Sequence, residues 1–362
     1  MRVMALYLPQ YHSFPENDKW WGEGYTEWTA VKRGTPLFKG HKQPRVPLNN
    51  NYYDLDKEGV STLRWQAKLA KDYGVYGFSF YQYYFKGHKL MYKPMETLLE
   101  NPDIDIHYCI CWANETWTRT WYDLENEVLI AQEYGDEKDY REHFEYLLKF
   151  FKDDRYIKVD NKPLLQIYKT FDIENLKEMM DCFNKWAKEA GFDGLYIVSG
   201  KTAGQQEDRK ELIDGYYYFE PGYTLKHEFN KYAELKYNLT VAVNSLLNRF
   251  RKEKKLERMI DARDIINPII KRDYAENEFP GLIPDWDNTP RRSYRGLVYK
   301  GTNPALFEDA LRELKKKKEG HKTDFVFINA WNEWGEGAFL EPDEIKGYEY
   351  LEAIKKVQLE SK

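Results

Sequence analysis

The chain of 362 residues is 42% hydrophobic and 32% charged, which suits a globular protein able to bury a large core. Its formal net charge of −5 argues against a nucleic-acid-binding surface, and no apolar run reaches transmembrane length. Seven scattered histidines and three cysteines, with neither HExxH nor CxxC among them, lead us to expect no metal and no cofactor.

A strand is expected at 3–8, with no charged leader and apolar stretch ahead of it; together with the sparse cysteines this favours a cytoplasmic address. Val60, Leu63, Ala67 and Ala70 recur at helical spacing and predict a helix over 56–73, closed by Gly74. Further strands are expected at 75–84, 106–112, 163–168, 195–198 and 215–219, with helices over 93–99, 136–151, 175–190 and 207–213 between them. Cys109 and Cys111 point the same way on the third strand and read as buried apolar fillers. An insertion over 232–271 is mostly helical in pattern. Its stretch 249–258 carries six basic and two acidic residues and reads first as a solvated helix face, then as a lid, a partner surface or a contact for anionic lipid heads. A weaker strand is expected around 281–286, then a helix over 303–318, an eighth strand at 325–330 and a last helix over 348–357.

Eight strands alternating with helices place the chain in the α/β class, as a (β/α)8 TIM barrel over 1–362 with a helical insertion between strands six and seven. The doubly wound open sheet is the alternative, but no GxGxxG follows the first strand. In a parallel barrel the active site lies at the C-terminal strand ends. After strand one come Gln10, Tyr11, His12, Trp20, Trp21, Glu27 and Trp28; at the end of strand two come Tyr81, Gln82, Tyr83, Tyr84 and Phe85. Strand three leads to Trp112, Asn114, Glu115, Trp117 and Trp121, strand four to Lys169, strand six to Glu220 and Tyr223, and strand seven to Trp286, Asp287 and Asn288. Strand eight leads to Trp331, Asn332, Glu333, Trp334, Glu336 and Glu341. Nine of the eleven tryptophans fall in this set, which predicts a cleft for an oligo- or polysaccharide. Rings there would stack on sugar C–H faces while amides and carboxylates bond hydroxyls.

Two carboxylate groupings compete within that set. Glu333 and Glu336 stand three apart between two tryptophans and two glycines. Glycosidic bonds are usually cleaved by two carboxyl groups of different protonation state, and neighbouring rings raise a carboxyl pKa. The plainer reading is a strand end whose glutamates are salt-bridged. Asn114-Glu115 is the other grouping; it follows the third strand rather than the fourth, so Glu115 ranks as a substrate-binding or supporting carboxylate.

The motifs Tyr7-Leu8-Pro9-Gln10-Tyr11-His12, Gly22-Glu23-Gly24-Tyr25-Thr26-Glu27-Trp28, Trp112-Ala113-Asn114-Glu115, Trp286-Asp287-Asn288-Thr289-Pro290-Arg291 and Trp331-Asn332-Glu333-Trp334-Gly335-Glu336-Gly337, with Leu340-Glu341-Pro342, resemble the WbsX-like family. That family is related to glycoside hydrolase family 99, the endo-α-mannosidases, and is associated with cell-surface polysaccharide gene clusters. The resemblance implies a (β/α)8 barrel and glycosidic-bond chemistry without a covalent enzyme intermediate. It implies that Glu333 takes a proton from the sugar 2-hydroxyl, and that Glu336 protonates the leaving oxygen and then activates water. Gly335 stands where the mannosidases commonly carry a bulkier polar residue. Three functions follow as expectations. The first is retaining glycoside hydrolysis. The second is glycosyl transfer in surface-polysaccharide assembly, although no standard DxD is present and Asp285-Trp286-Asp287 is the nearest match. The third is a non-catalytic carbohydrate-binding barrel.

Overall fold

In a computed structural model, residues 1–118 and 127–360 are described; Trp121 lies outside them. Among the described residues nine strands form the main path of one sheet: β1 (Arg2–Tyr7), β2 (Val75–Phe85), β3 (His107–Trp112), β4 (Lys162–Ile167), β5 (Tyr196–Lys201), β6 (Gly215–Tyr218), β7 (Glu278–Phe279), β8 (Gly281–Leu282) and β9 (Phe325–Ile328). They lie in the order β7-β6-β5-β4-β3-β2-β1-β9-β8, and every neighbouring pair is parallel. Strands of such a sheet are covered on both faces, so they read as continuous apolar runs rather than alternating ones. Val3 to Tyr7 of β1 and Phe325 to Ile328 of β9 are all inaccessible or nearly so.

The seventh stave departs from expectation. It starts earlier than 281 and comes in two pieces on either side of Pro280, which has no N–H to give a ladder. β7 pairs with β6 and β8 pairs with β9. The Pro280 carbonyl accepts from Phe327 N at 2.9 Å. A Cβ on Gly281 would stand 1.9 Å from the Tyr218 carbonyl oxygen, so only glycine lets the backbones meet where the ring closes. Taken as one stave, the two pieces make the barrel eightfold and nearly closed.

Helices Gly59–Asp72, Lys93–Glu100, Glu137–Phe151, Leu176–Glu189, Pro304–Lys318 and Glu349–Leu359 surround it, within a few residues of their expected bounds. Three expectations fail locally. The helix at 207–213 is a single 3-10 turn, Lys210–Leu212. The last strand stops at Ile328, and Asn332–Glu333 forms a small antiparallel pair with Ala338–Phe339. The insertion's helix Lys231–Phe250 ends before most of the basic run, which is a loop leading into strand Arg258–Asp261 beside Leu297–Lys300. Cys109 and Cys111 are buried free thiols on β3. Among the described residues no helix is long and apolar enough to cross a membrane.

Candidate active site

Beyond β9 the chain is held by a buried polar frame. Trp331 N donates to the Leu6 carbonyl at 2.7 Å. The Asn332 amide clamps β1, accepting from Leu8 N at 2.8 Å and donating to the Leu8 carbonyl at 3.0 Å. Glu341 gathers four donors: Trp334 Nε1 at 2.7 Å, Gln66 Nε2 at 2.7 Å, Trp331 Nε1 at 3.0 Å and the Tyr53 hydroxyl at 3.1 Å. Burial outweighs these bonds and pushes the Glu341 carboxyl up to about 7. Tyr7 donates to Gln66 Oε1 at 2.8 Å, and Tyr11 donates to the Asn332 carbonyl. Trp28 donates to the Tyr53 carbonyl and packs its ring on Trp334, which stacks on Phe339. This frame aims Glu333 and Glu336 off one short turn.

A single guanidinium joins the acids. Arg291 reaches Glu336 Oε1 at 2.8 Å, Glu333 Oε1 at 3.2 Å and Glu27 Oε1 at 2.7 Å. Glu27 opens helix Glu27–Arg33, and its side chain is wholly inaccessible. Gly335 passes directly over this cluster. A Cβ there would lie 1.9 Å from Glu27 Oε1 and 2.7 Å from Arg291 Nε, so the bulkier residue of the mannosidases has no room here.

Glu333 and Glu336 open onto a cavity of about 480 Å³ at the C-terminal end of the strands. Tyr81, Tyr83, Trp117, Tyr168, Phe219 and Trp286 give it aromatic walls, and Glu115 and Asn288 add polar groups. Arg258, Arg292 and Arg295 line it on the side of the insertion, with Tyr237 of the insertion helix. Burial and the neighbouring Glu336 carboxylate push Glu333 up to about 8, with Arg291 opposing. Burial raises Glu336 too, again against Arg291. The two carboxyls thus titrate as a pair, and burial makes that pair hold a proton more readily than exposed glutamates do.

Of the residues singled out by sequence, Tyr81, Tyr83, Glu115, Trp117, Trp286, Asn288, Glu333 and Glu336 face this cavity. Lys169 reaches it indirectly, 2.7 Å from Glu115 Oε1. Asn114 is buried and holds the turn after β4, bonding Lys169 N and O at 2.9 Å. The other residues singled out do not line this cavity. Tyr7, Tyr11, Trp28, Trp112, Trp331, Asn332, Trp334 and Glu341 are interior, because their polar tips find partners inside the frame; Trp112 Nε1, for one, donates to the Tyr84 carbonyl. Gln10 donates to Asn17, and His12 is buried. Glu220 is inaccessible and paired with Arg272 at 3.0 Å. Asp287 is held by His41 and Gln43, each at 2.7 Å, and by Thr289. Trp20 packs on Trp117, and Trp21 lines a separate cavity. Sequence reasoning missed Arg291, Tyr168, Phe219 and the three arginines on the insertion side. Arg291 closes the Trp286–Arg291 motif, and its place there, as a cation in a motif otherwise matched to carboxylate chemistry, was the available signal.

Comparison with known proteins agrees with this architecture. A family model described as Glycosyltransferase WbsX matches residues 3–354. A protein named "Uncharacterized protein WxcX" from Xanthomonas campestris pv. campestris (strain ATCC 33913) is 34% identical over 358 residues, covering 98% of this chain and 49% of that protein. Its counterpart from strain B100 is 33% identical over 359 residues, with the same coverage. The chain thus spans about half the length of the curated relatives it matches. Among solved structures, the GH99 endo-alpha-mannosidase from Bacteroides thetaiotaomicron is similar with a TM-score of 0.58 at 13% identity, over 99% of this chain and 96% of that one. A "Glycoside hydrolase-like protein" is similar with a TM-score of 0.59 at 15% identity, over 98% and 93%. Both likenesses are of fold.

Proposed function

The chain belongs to the WbsX glycosyltransferase family, a family of glycan-acting enzymes, and from that premise we propose that it breaks glycosidic bonds of an oligo- or polysaccharide with Glu333 and Glu336 as the reacting carboxyls. The observation that carries this reading is their joint hold on Arg291 at the edge of an aromatic cavity. The guanidinium offsets part of the repulsion between two acids side by side, while their burial and closeness resist the loss of both protons.

In the first step Glu333 removes the proton of a sugar 2-hydroxyl as that oxygen attacks the anomeric carbon. Glu336 delivers its proton to the departing oxygen, and an anhydro-sugar results. Water then gives a proton to Glu336 and attacks the anomeric carbon, while Glu333 returns its proton to the 2-oxygen, so the configuration is retained. These roles require Glu333 ionised and Glu336 protonated when a sugar 2-hydroxyl settles against Glu333. The test is Glu336→Gln. It is expected to lose about 10³-fold on poor leaving groups and to stay within about tenfold on activated aryl glycosides. Equal loss on both overturns the acid role.

Glycosyl transfer is the second reading, favoured by Arg258, Arg292 and Arg295 on one wall. Guanidiniums pair well with phosphate, the leaving group of an activated sugar donor. Product analysis after incubation with nucleotide-sugars, set against incubation with preformed oligosaccharides, separates the two.

A further inference from the structure

The insertion helix Lys231–Phe250 is built inside out. Tyr232, Leu235, Leu239, Val243, Leu246 and Phe250 are 79%, 58%, 60%, 56%, 54% and 82% exposed. Their spacing of three or four residues puts them on one face. The opposite face does the anchoring, through Tyr237 packed against the core and through two asparagines. Asn248, 3% exposed, donates to the Lys255 carbonyl at 2.7 Å and accepts from Lys255 N at 3.0 Å. Asn244 donates to the Glu257 carbonyl at 3.3 Å. A surface helix ordinarily turns its apolar stripe to the core. Here the stripe faces away, and a contiguous exposed patch of this kind marks an interaction surface.

Charge at the helix's end identifies the occupant. Residues 249–255 hold five basic side chains against Glu253 alone, and Arg249, Lys252 and Lys255 are exposed beside Phe250. An apolar stripe flanked by clustered cations matches a helix lying in the plane of an anionic bilayer, with rings and aliphatic chains among the acyl groups and ammonium and guanidinium groups at the phosphates. We propose that the 231–250 helix and its 249–255 flank dock this protein on an anionic membrane surface. Tyr237 of the same helix and Arg258 just beyond the flank line the cavity, so docking brings the cavity wall to the membrane, where a glycan carried on lipid would meet it. The binding itself is independent of the chemistry proposed above.

The test is flotation of the whole chain with phosphatidylcholine vesicles, with and without phosphatidylglycerol, comparing wild type with Leu239→Glu/Leu246→Glu and with Lys252→Glu/Lys255→Glu. Wild type is expected to float with the anionic vesicles, at least about tenfold better than with neutral ones, and less as salt is raised. Both variants are expected to lose flotation while keeping the wild-type circular dichroism and melting temperature. Flotation of the leucine variant equal to wild type overturns the proposal. So does a wild-type chain that ignores vesicles but forms a dimer that the leucine variant breaks, since a second copy then covers the stripe. A wild-type monomer that ignores anionic vesicles overturns it as well.

Discussion

At the scale of single residues, Arg291 and Glu333 carry the sharpest consequences. Arg291→Met leaves Glu27, whose side chain is wholly inaccessible, without this ion-pair partner. Breaking one partner of a buried ion pair costs about 3–5 kcal/mol, so the urea midpoint should fall accordingly. Glu333 sits near 8 in the folded chain against an ordinary 4.5. Between those values the folded form binds more protons than the unfolded one. The associated stability is therefore whole below about pH 4.5 and is lost as the pH climbs through about 8. Glu333→Gln should flatten that decline and exceed wild type in stability above pH 8. Melting temperatures from pH 4 to 9 read it directly. The paired glutamates were legible because their chemistry lies in local spacing. Arg291 was not legible as their partner, because it meets Glu333 across 42 residues and Glu27 across 264.

At the scale of elements, strand-helix alternation made the barrel legible, since a parallel stave needs a continuous apolar run and a crossover. The seventh stave was only weakly legible, and was placed too late, because two residues on each side of a proline make no sustained run. The tryptophans misled in an instructive way. They do gather at the C-terminal strand ends, but Trp28, Trp331 and Trp334 are posts whose indole N–H groups are spent inside the frame, and only Trp117 and Trp286 among the described indoles face the main cavity. Amino-acid type cannot separate a post from a platform, because both need a flat apolar ring with one donor. The two should divide under mutation. Trp334→Ala is expected to cost about 3–5 kcal/mol of stability. Trp286→Ala is expected to leave the melting curve near wild type and to raise KM for a glycan about tenfold, in keeping with roughly 1–3 kcal/mol for an aromatic stacking contact.

At the scale of the whole molecule, barrel, cavity and insertion divide the work. The staves fix the ends from which the carboxylates project, the aromatic walls give the cavity its shape, and the insertion adds both its basic side and an outward apolar stripe. The helix Lys231–Phe250 was legible from its helical pattern, but its outward orientation was not, since periodicity gives the width of a stripe and not the direction it faces. The carboxylate of Glu341 has a last consequence of an optical kind. Two indoles share it, and it changes charge near pH 7. Emission of the intact protein should therefore shift with a midpoint near neutrality, and the shift should vanish in Glu341→Gln. Such a shift would report, without any added dye, whether the turn bearing Glu333 and Glu336 is assembled.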